Sequence, residues 1–135
     1  MIRNRIRGEG VDCASIIFDE TRPTGLMCKQ TGSGESRVFY YRASSAAAAM
    51  DETDITPDLW RDVGVLHLTG ITPVLSESCR RAVEKAFAEA EQRKIPISFD
   101  PNIRRKLCDI LCNDFCVFHR TCSKRSSTEA YGRIC

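Results

Sequence analysis

The stretch GVLHLTGITPVLSESCRRAVEKAFAEAEQRKIPISFD, from Gly64 to Asp100, decides the fold. Gly64-Val65-Leu66-His67-Leu68 is a nearly all-apolar run, the pattern of a strand covered on both faces. From Glu77 to Lys94, Ala82, Val83, Ala86, Phe87 and Ala90 recur at helical spacing, while Arg80, Arg81, Glu84, Lys85 and Glu91 take the other side. Ser76 stands where a helix N-cap belongs. Ile95-Pro96-Ile97-Ser98-Phe99 reads as a second short strand. Strand, helix and strand of these lengths form a βαβ unit with a right-handed crossover, so the two strands are parallel. In open α/β sheets the ligand crevice lies beyond the carboxyl ends of the strands. Thr69 to Pro73 follows the first strand and Asp100-Pro101-Asn102-Ile103-Arg104 the second, which sets Gly70, a carboxylate, an amide and a guanidinium on one rim. His67, inside the first strand, reads as a hydrogen-bonded core histidine rather than a base.

Working outward, Ile2 to Arg7 is a short helical stub, in which Arg3, Arg5 and Arg7 form a solvated face rather than a nucleic-acid-binding arm. Ala14 to Phe18 is a β-rich run, and Thr21 to Gly25 reads as a turn. Leu26 to Gln30 and Arg37 to Arg42 are strand-like and joined by the glycine-bearing loop Thr31 to Ser36, which predicts a β-hairpin. Ser44 to Met50 is alanine-rich and predicts a short helix. Thr56 is placed to cap another that begins at Pro57.

The chain has 135 residues, a formal net charge of +2 and eight cysteines. Interspersed charges of so small a sum create no field that gathers nucleic acid or an anionic membrane, so neither is an expected partner. The basic opening Met1 to Arg7 is followed by Gly8, Glu9, Gly10 and Asp12, with no apolar stretch of signal length. No apolar run approaches the roughly 20 residues of a membrane span. The expected location is cytoplasmic.

Several spaced motifs in order carry a resemblance: Pro23-Thr24-Gly25; Val38-Phe39-Tyr40-Tyr41-Arg42 with Ser44-Ser45-Ala46; Leu66 to Pro73; and Ser98 to Arg104. Over about residues 8–107 the chain is similar to the PfkB sugar kinases, and within them most resembles the 2-keto-3-deoxygluconate kinases. The resemblance implies an α/β fold with a ribokinase-like, Rossmann-like parallel sheet and a β-hairpin lid, here incomplete. It places the lid hairpin at about residues 13–43 and the βαβ unit at about 63–104, within a partial kinase domain of residues 1–107. The lid of such kinases also serves as a dimer contact, so a homodimer or self-association through it is implied.

Carried over by position, Tyr40, Arg42, Gly70, Ile71 and Arg104 match sugar-acid contacts, and Asp100 and Asn102 lie near the transferred phosphate and its magnesium. Met27 stands where family members tend to have a sugar-binding tyrosine. From the residues alone, Tyr40 is a strand-face aromatic and Arg42 a solvated charge; the resemblance assigns them to the sugar acid. Two arginines suit a carboxylate, because the guanidinium fork donates two parallel charge-assisted hydrogen bonds.

The resemblance also implies ATP and Mg2+ as cofactors. The family takes its catalytic base and phosphate-binding amides from a Gly-Ala-Gly-Asp motif, and this sequence contains neither that motif nor a Walker-type loop. Gly32-Ser33-Gly34-Glu35 imitates it only superficially, inside the hairpin turn. The amino-terminal strands of the family and their glycine pair are also missing, with Met1 falling inside an internal helix. The expected function is therefore a fragment of an ATP-dependent sugar-acid kinase that keeps part of the sugar site and is inactive alone. The alternative is a non-catalytic sugar-acid-binding or interaction protein.

After Leu107 the chain changes character. Cys108, Cys112, Cys116, Cys122 and Cys135 crowd the last stretch, and the family's leucine–tryptophan continuation is replaced by cysteine. Residues 108–135 read as an unrelated, disordered, frame-shifted tail. The competing reading is a zinc module in which Cys108, Cys112 and Cys116 line one helical face with His119 or Cys122 as fourth ligand. Strands with missing neighbours leave open edges and uncovered apolar faces, so poor solubility is expected.

Overall fold

In chain order the elements are helix α1 (Ile2–Gly8), strands β1 (Leu26–Gln30), β2 (Arg37–Tyr41) and β3 (Leu66–Thr69), helix α2 (Glu77–Gln92) and strand β4 (Ile97–Asp100). Single 3-10 turns lie at Ala46–Ala49, Glu52–Asp54, Pro57–Trp60 and Thr72–Val74. This computed structural model describes residues 1–32 and 37–102. Met1–Pro101 form one structural unit and Asn102 begins a second.

Helix α2 follows from its apolar stripe. Cys79, Ala82, Val83, Ala86, Phe87 and Ala90 are its buried residues, so the stripe begins one turn earlier than the alanine pattern indicates. Ser76 Oγ accepts the Cys79 N–H at 3.1 Å, satisfying one of the donors a helix start leaves open. The helix ends two residues before the expected Lys94. Lys94 has φ 58°, its N–H donates to the Glu91 carbonyl, and the Ile95 N–H donates to Ala90 at 2.9 Å. These paired bonds form a Schellman motif, normally built on glycine.

The buried face of α2 packs on the 3-10 turns at 46–49, 52–54 and 72–74. Cys79 Sγ donates to the Ala47 carbonyl at 3.3 Å, Lys85 Nζ to the Glu52 carbonyl at 2.8 Å, and Arg81 Nε to Glu52 Oε2 at 3.0 Å. The alanine-rich segment is thus helical only as a 3-10 turn, because a short run held by tertiary contacts gains little from longer propagation. Thr56 also departs from expectation. Its carbonyl accepts from the Leu59 N–H, but its side chain makes no cap.

Strands β3 and β4 pair in parallel, from Leu66 opposite Ile97 to Thr69 opposite Asp100. The expectation that this strand run is covered on both faces is not met. Leu66 and Leu68 are half-buried, whereas Val65 is 57% exposed and His67 and Ser98 are open to solvent. His67 is hydrogen-bonded as expected, Nδ1 to Ser98 Oγ at 3.1 Å, yet it is a surface residue and not a core one.

Strands β1 and β2 form the antiparallel hairpin, with Met27 opposite Tyr40 and Cys28 opposite Phe39. Every residue of both strands is exposed. Ala14 to Phe18, expected as a strand, is a turn and irregular chain. Asp12 Oδ1 accepts the Ala14 N–H at 2.9 Å, an Asx turn, and none of the described strands pairs with this run. Residues 33–36 of the hairpin loop and the cysteine-rich tail lie outside the described residues.

Candidate functional site

The parallel pairing brings the carboxyl ends of β3 and β4 to one edge. The Gly70 N–H donates to the Asp100 carbonyl at 2.8 Å, continuing the ladder past the last paired residues. A β-carbon on Gly70 would lie 2.3 Å from the Pro101 carbonyl oxygen, so the close approach this glycine permits is to the neighbouring loop. Ile71 opens the 3-10 turn at 72–74 by accepting the Val74 N–H. Asp100, the last residue of β4, is exposed and stands opposite Thr69. Asn102 has φ 43°, a left-handed conformation that asparagine adopts more readily than most residues.

Thr69 enters the site from the structure and not from the sequence, where it read only as the first residue of a loop. Its Oγ1 is buried without a hydrogen-bond partner at the strand end, opposite Asp100. A buried hydroxyl is costly unless it is paired, so this oxygen is a point where water or a ligand group gains a hydrogen bond. Opposed threonine and aspartate side chains become visible only once the strand register is known.

On the hairpin, Tyr40 sits in β2 and Arg42 just beyond it. The Arg42 guanidinium carbon lies 4.6 Å from the Tyr40 ring centroid, a cation–π contact that orients the fork. No carboxylate among the described residues pairs with Arg42. Met27 lies across the ladder from Tyr40 on the same face. The structure therefore brings together Tyr40 with Arg42 on one sheet, and Gly70, Ile71 and Asp100 on the other. Arg104 lies outside the described residues, as do Cys108, Cys112, Cys116, His119 and Cys122.

A depression of about 180 Å³ is lined by Ala14, Ser15, Ile17, Asp54, Thr56, Asp58 and Leu59, and includes none of these candidate residues. The carboxyls with depressed pKa values lie elsewhere too. Asp19 is held well below the usual carboxylate range by hydrogen bonds from Thr21 and Arg22, Asp51 is lowered by Thr53, and Glu77 by Arg80.

The chain matches the family described as "pfkB family carbohydrate kinase" over residues 1–116. It belongs to the pfkB family. Among relatives of this pfkB chain, the 2-dehydro-3-deoxygluconokinase of Thermoproteus tenax is 41% identical over 105 residues, covering 76% of this chain and 31% of the relative. The 2-dehydro-3-deoxygluconokinase of Bacillus subtilis (strain 168) is 34% identical over 108 residues, 78% of this chain and 33% of the relative. A crystal structure of a PfkB protein from Polaromonas sp. JS666 superposes with a TM-score of 0.72 at 31% identity, over 78% of this chain and 36% of that one. The chain spans about a third of the length of the curated relatives it matches. The expected α/β, ribokinase-like architecture is thereby established, with the parallel pair as its part of the sheet.

Membership of a kinase family implies ATP and Mg2+. The described residues do not fit a nucleotide, since they offer no glycine-rich phosphate cradle, and the amino end of α2 is already capped by Ser76. Among them there is also no group of three or more His, Cys, Asp or Glu side chains that could hold a metal ion. Magnesium at phosphates needs only one or two carboxylates beside water and substrate oxygens. Among the described residues no helix is long and apolar enough to cross a membrane.

Proposed function

We propose that this chain carries the lid and the strand-end rim of a sugar-acid kinase of the 2-dehydro-3-deoxygluconate type. The observation that carries the reading is the Arg42 guanidinium, stacked on Tyr40 and paired with no carboxylate among the described residues. Arg42 is a half-buried residue, and a guanidinium in that state is a receptor for a substrate carboxylate. Gly70 and Ile71 line the rim against the sugar, and Arg104 supplies the second fork. Asp100 and Asn102 stand toward the transferred phosphate.

The same reading makes the 135-residue polypeptide a binder and not a catalyst. Phosphoryl transfer needs a base for the hydroxyl and amide donors for the phosphates, and the sequence lacks the family's Gly-Ala-Gly-Asp motif. Calorimetric titration of the polypeptide with 2-keto-3-deoxygluconate tests the reading. Saturable binding that disappears in Arg42→Ala and in Arg104→Ala, with no ADP released from MgATP, is the expected result. Binding indifferent to both arginines would overturn the site; ADP release dependent on the sugar acid would overturn the inactivity.

A further inference from the structure

Ser45 is buried to 3% exposure, yet it belongs to no apolar stripe and caps no helix. It precedes the 3-10 turn at 46–49, where a serine side chain ordinarily bonds forward into the turn. Here the hydroxyl points back: Ser45 Oγ donates to the Arg42 carbonyl at 2.8 Å, and the Ser45 N–H donates to the same oxygen at 3.1 Å. Two donors from one residue therefore converge on the backbone of Arg42. The Ala46 N–H donates in turn to the Pro23 carbonyl at 3.0 Å, tying in the segment that enters β1. Gly25 completes the corner. A β-carbon there would lie 3.3 Å from the Arg42 Cβ and 3.5 Å from the Ser45 hydroxyl.

We propose that Ser45 is a positioning residue for Arg42, with Gly25 leaving the space in which Arg42 is held. The inference rests on the reading of Arg42 as the carboxylate receptor. A long side chain is useful as a receptor only when its backbone origin is fixed, because each freed torsion must be frozen again on binding. The two bonds to the Arg42 carbonyl fix that origin, and the Tyr40 ring takes up the far end of the side chain. The corner also accounts for the spacing of two sequence motifs. Pro23-Thr24-Gly25 and Arg42-Ala43-Ser44-Ser45-Ala46 meet as one structure.

The test uses the whole polypeptide and proton NMR of Arg42, whose side-chain resonances are shifted upfield by the Tyr40 ring current. In Ser45→Ala that shift collapses while the far-ultraviolet helix signal of α2 is retained. The dissociation constant for 2-keto-3-deoxygluconate rises roughly ten-fold or more. Gly25→Ala, which keeps the hydroxyl but crowds the Arg42 Cβ, gives the same two changes, and decides the matter if Ser45→Ala does not fold. An upfield shift that survives in the folded variant overturns the proposal. If the parent chain binds no sugar acid, the ring-current readout still decides the positioning role, and only the functional reading of Arg42 fails.

Discussion

A β-carbon on Gly70 would lie 2.3 Å from the carbonyl oxygen of Pro101 and 3.1 Å from its carbonyl carbon. The obstacle is backbone, which cannot swing aside as a long side chain does. Gly70→Ala is therefore expected to force the ends of β3 and β4 apart and to cost about 1–3 kcal/mol in urea unfolding. Gly64, with nothing within 4 Å of its would-be β-carbon, is the control. Gly64→Ala should stay within about 0.5 kcal/mol of the parent. Equal losses at the two positions would contradict the account.

The two ends of α2 predict changes of opposite sign. Ser76→Ala removes the acceptor of the Cys79 N–H and should lower stability by about 1 kcal/mol. Lys94 holds the left-handed position of a Schellman motif, which costs a residue with a β-carbon. Lys94→Gly should raise stability by about 1 kcal/mol, visible as a higher thermal midpoint. A destabilised Lys94→Gly variant would show that the lysine side chain makes a contact worth more than the backbone strain.

The Asp19 carboxylate accepts from the Thr21 hydroxyl at 2.7 Å and N–H at 2.8 Å, and from the Arg22 N–H and Nη1, each at 3.0 Å. These bonds favour the charged form and lower its folded pKa below the ordinary 3.8. The stabilisation is fully present above about pH 4 and is lost as pH falls through the folded value. Carboxyl carbon NMR should find Asp19 still ionised when exposed glutamates have protonated. Asp19→Asn should show a shallower loss of stability in that acid range. Titration of Asp19 at its ordinary value would refute the turn as drawn.

Along the hairpin, Leu26, Phe39 and Tyr41 are 57%, 45% and 64% exposed, and by the register they share one face. Exposed apolar area of that kind drives association. The polypeptide should show sedimentation coefficients that rise with concentration, and Phe39→Lys with Tyr41→Lys should reduce the rise. A concentration-independent monomer would mean that these side chains are satisfied within one chain.

Element type was legible where the pattern is local. The stripe from Ala82 to Ala90 predicts α2, and the strand runs flanking it predict the parallel pair; both are present. The hairpin strands were legible as well, since turn chemistry and β-rich runs lie side by side in the chain. Ala14 to Phe18 was misread because composition gives a preference for extended structure, whereas a strand exists only beside a partner. Lys94 was misread because the left-handed end of a helix is usually marked by glycine, and here it is not.

The candidate site was legible as chemistry more than as arrangement. Tyr40, Arg42, Gly70, Ile71, Asp100, Asn102 and Arg104 were named as residue types in order, with the family resemblance behind them. Ser45 and Thr69 stood there only as members of quoted motifs with no role of their own, since one matters through a bond to a carbonyl and the other through burial of a single oxygen. Neither property leaves a mark in a sequence.

By itself the sequence determined the α/β class, the βαβ crossover, the hairpin and the family, because periodicity, turn composition and motif order are properties of neighbouring residues. Only the tertiary structure decided that β3 is open on the side of His67, that Gly70 serves the approach of Pro101, and that Pro23 to Gly25 and Arg42 to Ala46 make one corner. Those outcomes depend on which distant atoms come within a few ångströms of one another, and that is settled by packing.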